Sequence, residues 1–455
     1  MKRAPNRYLL GILVVAVALF TYLFLPDTYP EAAKRCAAIF IIAAGFWALE
    51  IFPVYVTSLI VVLLLCFTLA KPGGVLDMGQ TGYTVFLAPF ASPILMLFFG
   101  GFILAAALRK NHADLFIASR ILSHFTSNPA WYLLGVIICT ATLSMWISNT
   151  AATVIMLGMT RPVFESSKIS ASFRKALILA VPFSANIGGI ATPIGTPPNA
   201  LAKGFLSDLH IFVSFPQWMM LCLPLVLILL IITHAVLITL YLPKRKNESI
   251  QMMSEAPLSK SGLQTLLIAG FTILLWLTSP IHRIPESLTA LLSAGTFSAM
   301  GLIDRNDIKN IDWDVLILMW GGLALGVGIE KTELGRVLVD HLFPSWDGPI
   351  LALLFATLAL LFSLFISNTA AAALILPIAL ETTTEHQMLF AITIALMCSV
   401  AMIFPISTPP NALAYSTGFI ESREMIKAGT LVTLLSYLTI LIGFWWIIPL
   451  TLGTS

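Results

Sequence analysis

The chain has 455 residues, 58% of them apolar and only 10% charged, and 25 Lys and Arg against 22 Asp and Glu leave a net charge of +3. Soluble domains carry roughly 25% charged residues, so the composition leaves no room for a large soluble domain and marks an integral membrane protein. The positive charge falls in short clusters between apolar runs, which excludes a nucleic-acid surface and reads as a topology signal.

The run 8–25 after Met1 to Arg7 has the outline of a secretory signal, but Pro26 and Asp27 close it without a small-residue cleavage site. It is read as a retained first helix. Apolar stretches follow at 34–52, 54–70, 90–108, 175–203, 215–242, 262–279, 286–303, 313–330, 387–415 and 427–450. Each is long enough for a hydrocarbon core of about 30 Å, and with the first run they predict eleven crossings. Two further segments, 131–159 and 349–380, carry a polar Ser-Asn-Thr triplet near their middles. At about 30 residues each they are too long for one span and too short for two, the pattern of a re-entrant helical hairpin.

Treating both as hairpins fixes which loops share a side. With the N-terminus inside, the inner loops hold Lys2, Arg3, Arg7, Arg109, Lys110, Arg120, Arg161, Lys168, Arg174, Lys175, Lys244, Arg245, Lys246, Lys260, Arg305, Lys309, Arg423 and Lys427, 18 of the 25 cations. The outer side keeps Lys34, Arg35, Lys71, Lys203, Arg283, Lys331 and Arg336, with the acidic loop Glu381 to Glu385. The bias predicts a cytoplasmic N-terminus and an outside C-terminus in a plasma membrane, the bacterial inner membrane.

The chain repeats itself. Ser144-x-x-x-Ser148-Asn149-Thr150-Ala151-Ala152 returns as Ser363-x-x-x-Ser367-Asn368-Thr369-Ala370-Ala371, and Thr196-Pro197-Pro198-Asn199-Ala200-Leu201-Ala202 returns as Thr408-Pro409-Pro410-Asn411-Ala412-Leu413-Ala414, at offsets of 219 and 212 residues. Gly100-Gly101 answers Gly321-Gly322 at 221, each pair leading to a basic amphipathic stretch. The expected organisation is a first repeat over 1–242, a cytoplasmic linker over 243–262 and a second repeat over 263–455, with the hairpins on opposite sides and the repeats therefore inverted. Inverted repeats with broken helices point to a midplane site and alternating access.

In hydrocarbon, broken helix backbone is tolerated only where it is buried in protein or lines a watery cavity. Ser-Asn-Thr precedes an Ala-rich run in each hairpin and can cap the second half-helix, while Thr196 and Thr408 are natural caps with Pro197 and Pro409 at the first helical position. Four half-helix N-termini of roughly +0.5 charge would present about +2 to a guest, the field for a dianion. The opposite ends and the Ser and Asn oxygens suit a small cation. Asp, Glu, Lys and Arg are all absent from 131–160, 176–202, 348–380 and 387–420. Desolvating a dianion there costs several kcal/mol at least, so bound cations are the natural compensation, which is an argument for symport. Elsewhere the structural reading prevails. The five cysteines lie in apolar segments without metal or disulfide spacing, and the Trp residues, Trp445 and Trp446 included, read as interface anchors or packing. His234 and Glu50 are candidates for a proton relay but stand outside the repeated motifs.

The paired motifs, with Ser144-Met145-Trp146-Ile147-Ser148-Asn149-Thr150 and Gly188-Gly189-Ile190-Ala191-Thr192 among them, resemble the divalent anion:sodium symporter (DASS) family, the group that includes the INDY-type bacterial dicarboxylate transporters. The likeness covers nearly the full chain. It implies an all-α polytopic homodimer in lipid, with eleven transmembrane helices and two re-entrant hairpins. Each protomer would have a scaffold domain of spans one to four and seven to nine. Its transport domain, both hairpins with spans five, six, ten and eleven, would move as an elevator. Carried over by position, one sodium ion would meet Ser144, Ser148, Asn149 and Gly195, and a second would meet Ser363, Ser367, Asn368 and Ser407. The substrate would meet Asn149, Thr150, Thr196, Ser367, Asn368, Thr369, Thr408 and Pro409. Ser363 and Ser407 stand where relatives carry other small residues, and Thr196 where some carry Ser; each keeps an oxygen available.

The expected function is sodium-coupled symport of a small di- or tricarboxylate, a C4-dicarboxylate such as succinate first, with sodium as coupling ion and no other cofactor. The rivals are a sodium-independent anion exchanger on the same scaffold, a passive channel, and an intramembrane serine hydrolase using Ser148 or Ser367. The hydrolase needs a base, and neither hairpin supplies a His or Lys.

Overall fold

The computed structural model describes residues 6–167, 169–242, 257–342, 348–382 and 386–443. Lys2, Arg3, Lys168, most of the expected linker, part of the acidic loop after Glu381, and Trp445 and Trp446 lie outside the described residues. The described chain is helical, with no strand. Six of its helices are long and apolar enough to cross a membrane alone: Arg7–Phe24, Thr84–Lys110, Phe215–Tyr241, Lys260–Leu277, Trp313–Thr332 and Ser422–Ile442. Of the other expected spans, 34–52 holds Glu31–Ala48, 54–70 and 286–303 hold the shorter helices Val54–Thr68 and Glu286–Ala299, and two are pairs of half-helices. The run 175–203 divides into Ala171–Gly189 and Pro197–Asp208, and 387–415 into Gln387–Ser399 and Pro409–Ser416.

Both long polar-centred segments are hairpins. In the first, Pro129–Ser144 packs against Asn149–Phe164; in the second, Gly348–Phe365 packs against Asn368–Glu381. The chain turns at the triplets because their serines compete with the helix. Ser148 and Ser367 take extended backbone (φ −60°, ψ 146° and φ −61°, ψ 141°), and their hydroxyls accept from the amides of Ala151 and Ala370. That is N-capping, worth about 0.5–2 kcal/mol per cap.

The helices form two compact units, each drawing on both halves of the chain. One is drawn from Met1–Leu95, Ala200–Phe212 and Asp312–Cys398. In it Asn6–Phe24, Glu31–Ala48 and Val54–Thr68 pack in succession, and Trp313–Thr332 lies against Val54–Thr68 and Asn368–Glu381. Close approach explains Gly321: a Cβ there would stand 2.4 Å from the Ser58 Cβ. Small residues let helix backbones meet where lipid supplies no hydrophobic drive.

The other unit comes from Met96–Asn199, Val213–Ile311 and Ser399–Ser455. Its centre is Ala171–Gly189, buried without interruption from Ala176 to Gly189. Both arms of the first hairpin, Phe215–Tyr241, Pro409–Ser416 and Ser422–Ile442 all pack on this helix. Gly100 allows a second close crossing, for a Cβ there would lie 2.6 Å from that of Ala290. The stretches after the two glycine pairs form the helices Ala113–Leu122 and Leu334–Leu342.

Candidate functional site

Ser144 ends the first arm of the first hairpin and Asn149 begins the second. The Ser144 Oγ lies 2.7 Å from Asn149 Oδ1 and 2.7 Å from the Ala185 carbonyl. The same amide position of Asn149 is 3.1 Å from the Ala185 carbonyl oxygen and 3.3 Å from that of Gly195. Four oxygens therefore meet around one hydrogen, the hydroxyl proton of Ser144. Two arrangements relieve this crowding: a cation among the oxygens, or an Asn149 amide turned to present its nitrogen. Oxygen cages of this kind are what hard cations take.

Asn199 is fully buried, and its Nδ2 donates to the carbonyls of Gly189 (3.1 Å), Ile190 (3.2 Å) and Thr192 (2.8 Å). It satisfies the carbonyls that the end of Ala171–Gly189 leaves open. Thr192 donates to the Met145 carbonyl (2.6 Å) and Trp218 Nε1 to that of Ile190 (3.1 Å), fastening the break to the hairpin tip. Trp146 at that tip stacks on Phe215, and Phe215 on Trp276.

The second triplet repeats the cage. Ser363 Oγ lies 2.7 Å from Asn368 Oδ1 and 2.6 Å from the Cys398 carbonyl, again one hydrogen among three oxygens. Thr369 is buried beside it on the same helix, and Ser367 is the cap already described.

At the second Thr-Pro-Pro break, Asn411 plays the part of Asn199 and donates to the carbonyls of Met402 (3.1 Å) and Phe404 (3.0 Å). Thr408 caps Pro409–Ser416 by accepting from the Asn411 amide at 3.2 Å. Ser407 is buried and accepts from the Phe404 amide at 3.3 Å. Thr196 is buried, while Thr150 and Pro409 open to solvent.

This unit thus brings together Ser144, Asn149 and Gly195, with Ser148 on the adjoining cap. In each unit, residues that the motifs did not name take part as well. Ala185 and Cys398 act through backbone carbonyls. Asn186 is 1% exposed; its Oδ1 accepts from Asn149 Nδ2 at 3.4 Å and its Nδ2 donates to Thr408 Oγ1 at 3.1 Å. A lone polar side chain in an apolar run was the available signal for it.

His234 and Glu50 show local roles. His234 Nε2 lies 3.0 Å from the Ala130 carbonyl, at the start of the first hairpin, and Glu50 occupies a turn with φ of 47°. The five cysteines are free thiols, four of them buried.

A family model described as citrate transporter matches residues 44–401. The sodium-dependent dicarboxylate transporter SdcS of Staphylococcus saprophyticus is 30% identical, across 98% of this chain and 91% of its own. SdcS of Staphylococcus aureus strain USA300 is also 30% identical, across 96% and 90%. Among solved structures, the Alcanivorax borkumensis YdaH transporter superposes with a TM-score of 0.60 at 16% identity, covering 89% of this chain and 98% of its own. Neisseria gonorrhoeae MtrF does so at 0.55 and 12%, covering 94% and 96%. These likenesses carry the fold. The family and these relatives are transporters, so the hydrolase alternative falls away. The chain belongs to the citrate transporter family and, with its paired Ser-Asn-Thr and Thr-Pro-Pro-Asn motifs, to the divalent anion:sodium symporters, as a multi-pass membrane transporter and not an enzyme.

Proposed function

We propose that the chain carries a small dicarboxylate, a C4 acid such as succinate, into the cell together with sodium. The observation that supports this reading most is the doubled cage, in which Ser144, Asn149, Ala185 and Gly195, and again Ser363, Asn368 and Cys398, gather oxygens around a single hydrogen. Sodium in the cages turns an electrostatic conflict into coordination. It also supplies the countercharge that the uncharged segments around the motifs lack. The dianion then meets the capped N-terminus of Asn149–Phe164 with Asn149 and Thr150, that of Pro409–Ser416 with Thr408 and Pro409, and Thr196. Asn368, Thr369 and Ser367 are the second set of anion ligands, and Ser148, Ser367 and Ser407 complete the sodium sites. The names of the staphylococcal relatives favour the same substrate class and ion.

The reading includes two inverted repeats, 1–242 and 263–455, around the linker 243–262, eleven crossings, a cytoplasmic N-terminus and an outside C-terminus in the plasma membrane. It further holds that the protein is a homodimer and that one domain of each protomer moves as an elevator. The matching local geometry at the two hairpins and the two breaks supports the repeat.

The test is uptake of labelled succinate into empty proteoliposomes under an inward sodium gradient, against potassium or choline at equal ionic strength. Sodium-driven accumulation is expected. Uptake that appears only after preloading with unlabelled dicarboxylate makes the protein an exchanger and overturns the reading.

A further inference from the structure

We infer that Asn186 is the positioning residue through which a cation in the first cage prepares Thr408 to bind the anion. This inference rests on the proposed sodium and dicarboxylate sites and adds the link between them.

Three side chains form the link. Asn149 Nδ2 donates to Asn186 Oδ1, Asn186 Nδ2 donates to Thr408 Oγ1, and Thr408 Oγ1 also accepts from the Asn411 amide, at 3.4, 3.1 and 3.2 Å. A threonine hydroxyl has two acceptor positions and one hydrogen. Both acceptor positions of Thr408 are filled in this arrangement, so its hydrogen points away and is free to donate to a carboxylate. The arrangement requires Asn149 to keep Oδ1 toward the oxygens of Ser144, Ala185 and Gly195, which a cation makes favourable.

With the cage empty, Asn149 gains by turning its amide: Nδ2 then donates to the Ser144 Oγ at 2.7 Å and to the carbonyls of Ala185 and Gly195 at 3.1 and 3.3 Å. Its Oδ1 now faces Asn186 Oδ1, acceptor against acceptor, and Asn186 turns in response. Thr408 then meets Asn186 Oδ1 and spends its hydrogen there. The anion loses a donor and faces a lone pair. Both polarities keep the links bonded, so the choice between them is left to the cation.

The helices that lead into the two breaks meet their hairpins in the same register. Ala185 accepts from Ser144 as Cys398 accepts from Ser363, which sets Asn186 against Ser399 one step on. A serine thus already occupies the equivalent step of the other half, and Asn186→Ser is a conservative test beside Asn186→Leu. Serine is too short to span from Asn149 to Thr408.

The experiment uses the full-length protein, purified for sodium-induced thermal stabilisation against choline and reconstituted for succinate uptake at several sodium concentrations. Both Asn186 variants are expected to keep the sodium stabilisation. Their apparent KM for succinate should rise about tenfold or more, the loss of one hydrogen bond to a charged group, and should fall less steeply than the wild type's as sodium is raised. Adding Thr408→Val to Asn186→Leu should raise KM no further. An unchanged KM, effects of the two substitutions that multiply, or loss of sodium stabilisation in both Asn186 variants overturns the inference. Wild-type protein that neither binds sodium nor shows sodium-driven uptake overturns the underlying symport reading instead.

Discussion

Gly189 shows how little space the first cage leaves. A Cβ on this residue would stand 2.3 Å from Asn149 Oδ1 and 3.0 Å from the Gly195 carbonyl oxygen, both fixed parts of the cage. Gly189→Ala is therefore expected to displace the Asn149 amide and to weaken sodium more than succinate. A sodium titration of uptake should show the half-saturating concentration rising about tenfold, the scale of one lost charge-assisted bond. Asn149→Ala and Asn368→Ala should each abolish sodium and succinate binding together; wild-type uptake by either removes that cage from the site. At this scale the sequence was legible where chemistry lay in repeated side chains, as with Ser144, Asn149, Ser363 and Asn368. It was silent on Ala185 and Cys398, whose contributions are carbonyl oxygens common to every residue. Asn186 belongs to no repeated motif, and only its three-dimensional partners give it meaning.

Half-helices obey the same distinction between local and distant causes. The caps could be read directly, because Ser and Thr before an Ala-rich or Pro-initiated run compete with the helix through neighbouring amides. Ser148→Ala and Ser367→Ala should each cost about 0.5–2 kcal/mol, and hydrogen exchange should quicken at the amides of Ala151 and Ala370 before elsewhere in those helices. Exchange rates unchanged at both amides would show that packing alone fixes the turn. What local pattern could not supply is the brace across each break. Asn199 and Asn411 reach carbonyls seven to ten residues earlier, a reach that the Thr-Pro-Pro-Asn pattern does not encode. The breaks at Thr196 and Thr408 were legible from their caps and prolines, and helices begin at Pro197 and Pro409.

Over the whole molecule, charge is concentrated where helices end. Partial burial and the nearby Glu330 push the Asp208 carboxyl up to about 6, against the opposing pull of His210, although its side chain still meets solvent. Burial also raises Glu381, with Glu330 adding to the effect and Arg336 opposing it. The folded chain accordingly holds a proton at Asp208 over a range where the unfolded chain, with a value near 3.8, has released it. Its contribution to stability falls as pH rises from about 4 through about 6 and then levels off. Asp208→Asn should raise the melting temperature in detergent more at pH 7.5 than at pH 4.5; equal effects at both would assign the change to something other than this proton. Elsewhere, Lys110 binds both Asp304 (2.7 Å) and Asp307 (2.6 Å), and its ammonium holds Asp304 below the usual carboxylate range.

The central helix Ala171–Gly189 has a consequence for how the protein is made. Its buried faces are completed by Pro409–Ser416 and Ser422–Ile442, segments that leave the ribosome more than 200 residues later. At about 5–20 residues per second, the helix waits on the order of 10 to 50 seconds with Asn186 lacking Thr408 and its apolar sides lacking their neighbours. During that interval the nascent chain offers an incomplete core to the insertion machinery, and a ribosome stalled before Pro409 leaves a product open to quality-control proteolysis.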